Sequence, residues 1–156
     1  METWIRAFVK ESNKIEDISE VRGVELDVHE QFLSLDQIGI GDLENVVNVL
    51  ANARLRSRVG LDVRVGNHYP IHGGPQVYIQ LKQILDNVNA YPNLSAYRAH
   101  GDYETLHPFT DGNGRSGRLL WLWMMERQSV NKQKPWRELG FLHWWYYQSL
   151  QESRIR

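Results

Sequence analysis

Cysteine is absent from the 156 residues, which excludes disulfides, thiol nucleophiles and thiolate metal sites and fits a reducing compartment. No apolar run approaches the roughly 20 residues needed to cross a bilayer, and Met1 to Lys10 lacks the charged and then apolar pattern of a signal peptide. No membrane attachment is expected, and a cytoplasmic location is the default. Neither sign of charge is in excess: 18 Lys and Arg stand against 19 Asp and Glu, so no electrostatic footprint for direct nucleic-acid binding or for a lipid surface is present. No set of His and acidic positions has zinc spacing, and internal repeats, linkers and low-complexity tracts are missing. What the chain does have is apolar material. Hydrophobic residues make up 42%, with six Trp, enough to fill the single core expected of one domain spanning 1–156.

Periodicity predicts an all-α fold with one extended interruption. Trp4, Ile5, Phe8 and Val9 form a helical stripe over Trp4 to Ile15. Helices are predicted over Val28 to Ile38 and Leu43 to Leu55, the second with Leu43, Val46, Val47, Leu50 and Ala51 on one face. Gly60 to Gly74 breaks the pattern with four glycines, a proline and a short alternation at Val63, Arg64 and Val65. Helix resumes at Pro75, a favourable first-turn residue, and runs through Val77, Leu81, Ile84, Leu85 and Val88. Tyr91, Pro92 and Asn93 interrupt it before Leu94 to Leu106. A last helix is predicted from about Pro135 to Ser153, dense with Trp136, Phe141, Leu142, Trp144, Trp145, Tyr146, Tyr147 and Leu150. It reads as core, and any face left exposed would serve a homo-oligomer.

The chemistry concentrates in HPFTDGNGRSGR, His107 to Arg118. Gly112 and Gly114 flank Asn113 and permit the close backbone approach of a phosphate-cradling turn. The following RSGRLLWLWMMERQ is helical, so the turn opens onto a helix N-terminus, where unpaired N–H groups favour an anion. Arg115 and Arg118, three apart, are expected to share a face and reach the same polyphosphate. Asp111 is a hard oxygen ligand suited to a divalent cation that itself touches phosphates. His107 is the one side chain here whose ordinary pKa suits proton transfer near neutrality. Each residue alone has an ordinary explanation as a turn, a cap or a solvated face. Their fixed order reads as a nucleotide-phosphate site with a general base.

This segment resembles the signature of the Fic family, HxFx(D/E)GNGRxxR, at every specified position. The resemblance implies a Fic-fold helical bundle and transfer of AMP from ATP to a Ser, Thr or Tyr hydroxyl of a target protein. By position, His107 would take the proton of the hydroxyl and Asp111 would hold Mg²⁺ on the α and β phosphates. Gly112, Asn113 and Gly114 would form the anion hole, Asn113 and Arg115 would position the triphosphate, and Arg118 would contact the γ-phosphate. Phe109 would be the apolar pin of the loop. The related Doc kinases usually depart in the GNGR stretch, so the full form favours nucleotidyl transfer. A Fic-fold transferase with another donor or with γ-phosphoryl transfer, and a non-catalytic nucleotide-binding or toxin-partner module, are the alternatives.

The resemblance extends to two further segments. Ser12 and Glu16, four apart on one helix face, resemble the inhibitory (S/T)xxxE(G/N) motif within residues 1–18, with Asp17 where Gly or Asn is expected. Glu16 would then pair with Arg118 in place of the γ-phosphate. Residues 60–74 fall where the family places a short β-hairpin flap that binds the protein substrate by strand addition, with a turn at Gly66 and Asn67. Asp62, Arg64, His68, Tyr69 and His72 are candidates there for target or nucleobase contact. His100, seven residues before His107, is expected to pack behind the loop, and His29 and His143 to be structural.

Overall fold

The computed structural model describes residues 3–128, 133–138 and 142. In these, α1 (Thr3–Ile15), α2 (Gly23–Leu33), α3 (Ile40–Ala51), α4 (Pro75–Ala90), α5 (Ala96–Leu106) and α6 (Asn113–Gln128) are followed by a 3-10 turn at Pro135–Arg137.

The apolar run of α6 decides the arrangement. Leu119, Leu120, Trp121, Leu122, Trp123 and Met124 are all buried, and a helix that is apolar on every side belongs in the middle. α5 lies along it, α1, α2 and α3 cover its other sides, and α4 packs against α3 and α5. Trp121 meets the rings of Tyr97 and Trp136 edge-on at 5.9 and 6.2 Å. Trp123 Nε1 donates to the Leu35 carbonyl at 2.9 Å, so the buried indole is satisfied.

Helix ends differ from the periodicity wherever a polar side chain sets them. The helix predicted over Val28 to Ile38 occupies Gly23–Leu33 instead. Glu25 accepts the Arg22 N–H at 3.0 Å and so fixes an earlier start. Ser34 closes the far end, and Ile38 is buried in the connection to α3, with its N–H and carbonyl bonded to the Asn89 side chain at 2.9 and 2.8 Å. α3 starts before the predicted Leu43, because Asp42 accepts the Gly39 N–H at 2.8 Å, and ends before Leu55, because Asn52 takes a left-handed φ of 50°. Of the predicted Pro135 to Ser153 helix, Pro135–Arg137 is a 3-10 turn and Glu138 is extended. Trp136 and Leu142 are buried; the rest of that segment, His143 included, lies outside the described residues.

The predicted β-hairpin flap is also corrected. Among the described residues no strand forms in 60–74, and the hairpin reduces to a turn closed by one bridge between Val65 and His68, with N–H···O distances of 3.0 and 2.8 Å. The three-residue alternation is too short to propagate a ladder, and Pro70 lacks an N–H to extend it. Side chains hold the segment instead: Asp62 Oδ1 accepts the Gly73 N–H at 2.9 Å, and His68 Nε2 lies 2.9 Å from the Thr105 carbonyl on α5.

Candidate active site

The loop between α5 and α6 is shaped by buried polar contacts. His107 caps α5 in the left-handed region, φ 52° and ψ 63°. Its Nδ1 lies 3.1 Å from the Glu104 carbonyl, which only an N–H can satisfy, so Nε2 carries the lone pair. Burial and the nearby Arg56 hold this imidazole below its ordinary pKa, against the opposing pull of the Glu104 carbonyl, so it is neutral at pH 7. Phe109 is fully buried. Residues 54–56 run antiparallel to the loop: Leu55 bridges Phe109, Arg56 N–H donates to the Pro108 carbonyl at 2.9 Å, and Thr110 N–H donates to the Arg54 carbonyl at 2.9 Å.

Two residues act here in ways the motif does not suggest. Arg56 is fully buried, and its guanidinium donates to the carbonyls of His107 at 2.7 Å, Leu106 at 2.9 Å, Ile71 at 2.8 Å and Leu61 at 3.1 Å. It ties the 60–74 segment to the backbone of His107. Nothing in the sequence marks it, since a lone arginine in a polar stretch reads as solvated. The Asn113 side chain, expected on the triphosphate, is instead committed to Phe109, accepting its N–H at 2.9 Å and donating to its carbonyl at 2.8 Å. It braces the turn.

A cleft of about 590 Å³ opens above this loop, lined by His107, Asp111, residues 112–115, Glu104, Glu16 and the Val63 to Val65 arm. Gly112 holds φ 76°, which favours glycine, and a β-carbon there would press on Ala51 Cβ at 3.2 Å. Asp111 is exposed, with Oδ1 accepting the Gly112 N–H at 2.7 Å. Among the described residues no group of three or more His or acidic side chains is poised for a metal. A single carboxylate beside a phosphate-sized turn fits Mg²⁺ that arrives with its phosphates.

The two arginines do not converge on one point. Arg118, with no exposed surface, donates from Nε to Ser12 Oγ at 2.7 Å and from Nη2 to the Ser12 carbonyl at 2.9 Å and Glu16 Oε2 at 2.7 Å. Arg115 turns toward α2 and α3, with Nη2 donating to the Leu50 carbonyl at 2.9 Å and Nη1 lying 3.7 Å from Glu25 Oε2. Glu25 was not singled out by sequence; it is buried, and it also accepts from Asn13 of α1 at 3.0 Å. Its only signal was an acid on an apolar helix face.

Glu16 lies just past the end of α1, and its Oε2 is 2.6 Å from where a Gly114 β-carbon would stand. Its carboxylate therefore covers the first turn of α6, where the helix dipole favours an anion. Asp17 adopts the left-handed conformation, φ 61°, with Ile18 N–H bonded to the Asn13 carbonyl and Asp17 N–H to the Lys14 carbonyl, both at 3.0 Å. This is the Schellman ending that Gly or Asn normally supplies. Behind Arg118, burial pushes the Glu104 carboxyl up to about 8, with Arg118 opposing and Glu16 adding to the shift. His100 packs behind the loop as expected, 3.5 Å from Glu104, its pKa lowered to about 4 by burial and then by Arg118. His29 is structural, bonded through Nδ1 to the Glu25 carbonyl at 2.7 Å.

The flap candidates separate. Arg64 lines the cleft, its Nε donating to the Gly66 carbonyl at 2.7 Å and its guanidinium lying 5.1 Å from the centre of the Tyr69 ring. His68 and Tyr69 line a different groove. Asp62 and His72 pair with each other at 3.2 Å and line neither.

Residues 29–125 match the sequence model of the Fic/DOC family. Over 99 residues the chain is 40% identical to protein adenylyltransferase fic-1 of Caenorhabditis elegans, an alignment covering 54% of this chain and 18% of that protein. The chain thus spans less than a fifth of that relative's length. No solved structure shows significant similarity to it. With its family match covering more than half its length, the chain belongs to the Fic/DOC family.

Proposed function

We propose that this chain is a protein adenylyltransferase that moves AMP from Mg-ATP to a Ser, Thr or Tyr hydroxyl of a target protein, and that Glu16 holds it in check. The observation that carries the reading is the pairing of the buried Arg118 with Glu16, whose side chain lines the same cleft as His107. A carboxylate on that guanidinium occupies the place a terminal phosphate would take. The name of the nematode relative supports adenylyl transfer.

In the proposed reaction the target hydroxyl oxygen attacks the α-phosphorus and its proton passes to Nε2 of His107. The bond from that phosphorus to the bridging oxygen breaks, and pyrophosphate leaves. Asp111 would hold Mg²⁺, which when bound neutralises charge on the phosphates. The first-turn N–H groups of α6 and the Gly112 to Gly114 turn cradle phosphate oxygens, and Arg118 takes the γ-phosphate once Glu16 has left it.

The test is label transfer from α-labelled and γ-labelled ATP, with Mg²⁺ and a host lysate, to proteins incubated with wild type, Glu16→Gly, and Glu16→Gly with His107→Ala. Transfer from the α position that rises in Glu16→Gly and vanishes with His107→Ala is expected. Label from the γ position alone would make the chain a kinase, and equal rates for wild type and Glu16→Gly would remove Glu16 as the brake. No label from either position would favour another donor or a non-catalytic module.

A further inference from the structure

A second groove, of about 990 Å³, runs between α4 and α5 on the far side of the flap from the catalytic cleft. One wall carries Gln76, Gln80, Gln83 and Asn87. At a helical spacing of i, i+4, i+7 and i+11 they fall on a single stripe of α4. All four are exposed. Each carboxamide offers a carbonyl acceptor and two N–H donors, so it can pair with both the N–H and the C=O of a peptide unit.

The stripe measures about 16 Å from Gln76 to Asn87 at 1.5 Å per helical residue. An extended chain rising about 3.3 Å per residue covers that distance in about five residues. Apolar side chains stand between and opposite the amides: Ile79, Tyr69, Ile71 and Tyr91 line the groove and are 51%, 68%, 39% and 61% exposed. Arg98 and Asp102 on the α5 side offset one another, so the groove has no preference for a polyanion such as nucleic acid.

We infer that this groove docks an extended segment of the protein substrate, with the amide row of α4 reading its backbone and the exposed apolar residues accepting alternate side chains. The inference rests on the protein-substrate reading proposed above. The flap supplies the continuity: its Val63 to Val65 arm faces the cleft, while His68 to Ile71 form the rim of the groove. His68, held against the Thr105 carbonyl, fixes the flap on α5 between the two. One segment therefore passes from the α4 groove along the flap and presents its hydroxyl to His107. Recognition through the backbone tolerates many sequences.

The probe is a fluorescein-labelled mixture of random ten-residue peptides, with a second mixture of the same composition N-methylated along the backbone. Binding is read by fluorescence anisotropy on wild type and on Gln80→Ala with Gln83→Ala, two exposed positions whose truncation leaves the core intact. Loss of two amides should raise the apparent Kd about tenfold, and the N-methylated mixture should not bind. Peptide binding that depends on the glutamines without any ATP label would leave the groove standing and defeat the transferase reading. Equal affinity for wild type and the double variant, equal binding of the N-methylated mixture, or absence of peptide binding would overturn the groove. So would conversion of a dimer to a monomer by the double variant in sedimentation, because the surface would then belong to a second copy of the chain.

Discussion

The carboxylate of Glu16 lies 2.7 Å from the guanidinium of Arg118 and is packed over Gly114, joining the end of α1 to the first turn of α6. The arginine is wholly buried and the glutamate side chain 39% exposed. Burial makes the arginine the fixed partner and the glutamate the one able to leave. A ligand that competes for Arg118 needs only to displace an exposed side chain at the tip of a helix.

Ser12 is the second anchor of that arginine. Ser12→Ala deletes the 2.7 Å bond to Nε and leaves a buried charged donor with one partner fewer. A cost of about 2 kcal/mol is expected. It should appear as a fall in Tm of about 4–8 °C. A melting curve superimposable on wild type would show that the contact does not hold Arg118.

Asp17 occupies a left-handed position, φ 61°, that glycine adopts without strain. Asp17→Gly keeps the Schellman ending and is expected to stabilise the protein by about 1 kcal/mol. Thermal unfolding checks the sign. Destabilisation would mean that the Asp17 side chain contributes more than its backbone costs.

Arg56 gathers four carbonyls from the 60–74 segment and the C-terminal end of α5. Arg56→Ala should cost on the order of 3–5 kcal/mol, because carbonyls buried with it lose a charged donor. Arg56→Lys should recover only part of this, since an ammonium lacks the guanidinium fork. Full recovery by lysine in denaturant titrations would argue against the forked geometry.

Gly117 faces Glu104: a β-carbon there would fall 2.1 Å from Oε1 and 3.0 Å from Tyr103 Cδ1. Helix propensity alone would make Gly117→Ala stabilising by about 1 kcal/mol. Packing should reverse the sign in the wild-type background, with Glu104→Ala removing the nearer contact and restoring most of the gain. A double-mutant cycle on unfolding free energy measures the coupling.

Two titrations follow from burial. His107 must be neutral to accept a proton and its pKa is depressed, so the acidic limb of a kcat/KM profile should lie below pH 6.5, with a plateau at neutrality. A limb at or above 6.5 would contradict this. For stability, His29 and His100 fall to about 4 when folded, each mainly through burial, against about 6.5 unfolded. The unfolded chain then binds more protons, so their contribution is complete above pH 6.5 and is lost as pH falls through 4. His100→Gln should flatten that acid slope in unfolding free energy measured from pH 7 to pH 4.

The 107–114 turn was legible because its residues act locally: Gly112, the α6 N-terminus and His107 at the end of α5 follow from chain order and backbone geometry. The apolar stripes of α1 and α4 were legible for the same reason. The start of α2 was not, because Glu25 outweighed the apolar pattern that begins at Val28. Arg56 was invisible, since the four carbonyls it binds come from segments up to 51 residues away.

By itself the sequence determined the helical composition, the order of the 107–118 loop and the spacing of Ser12 and Glu16, all of which depend on neighbours along the chain. Tertiary structure alone decided that Arg115 turns away from Arg118, to Glu25 and the Leu50 carbonyl. Equal charges three residues apart have no local reason to part. Which carboxylate each one meets is set by where α1 and α2 pack against α6, and that packing is fixed by burial of the core between them.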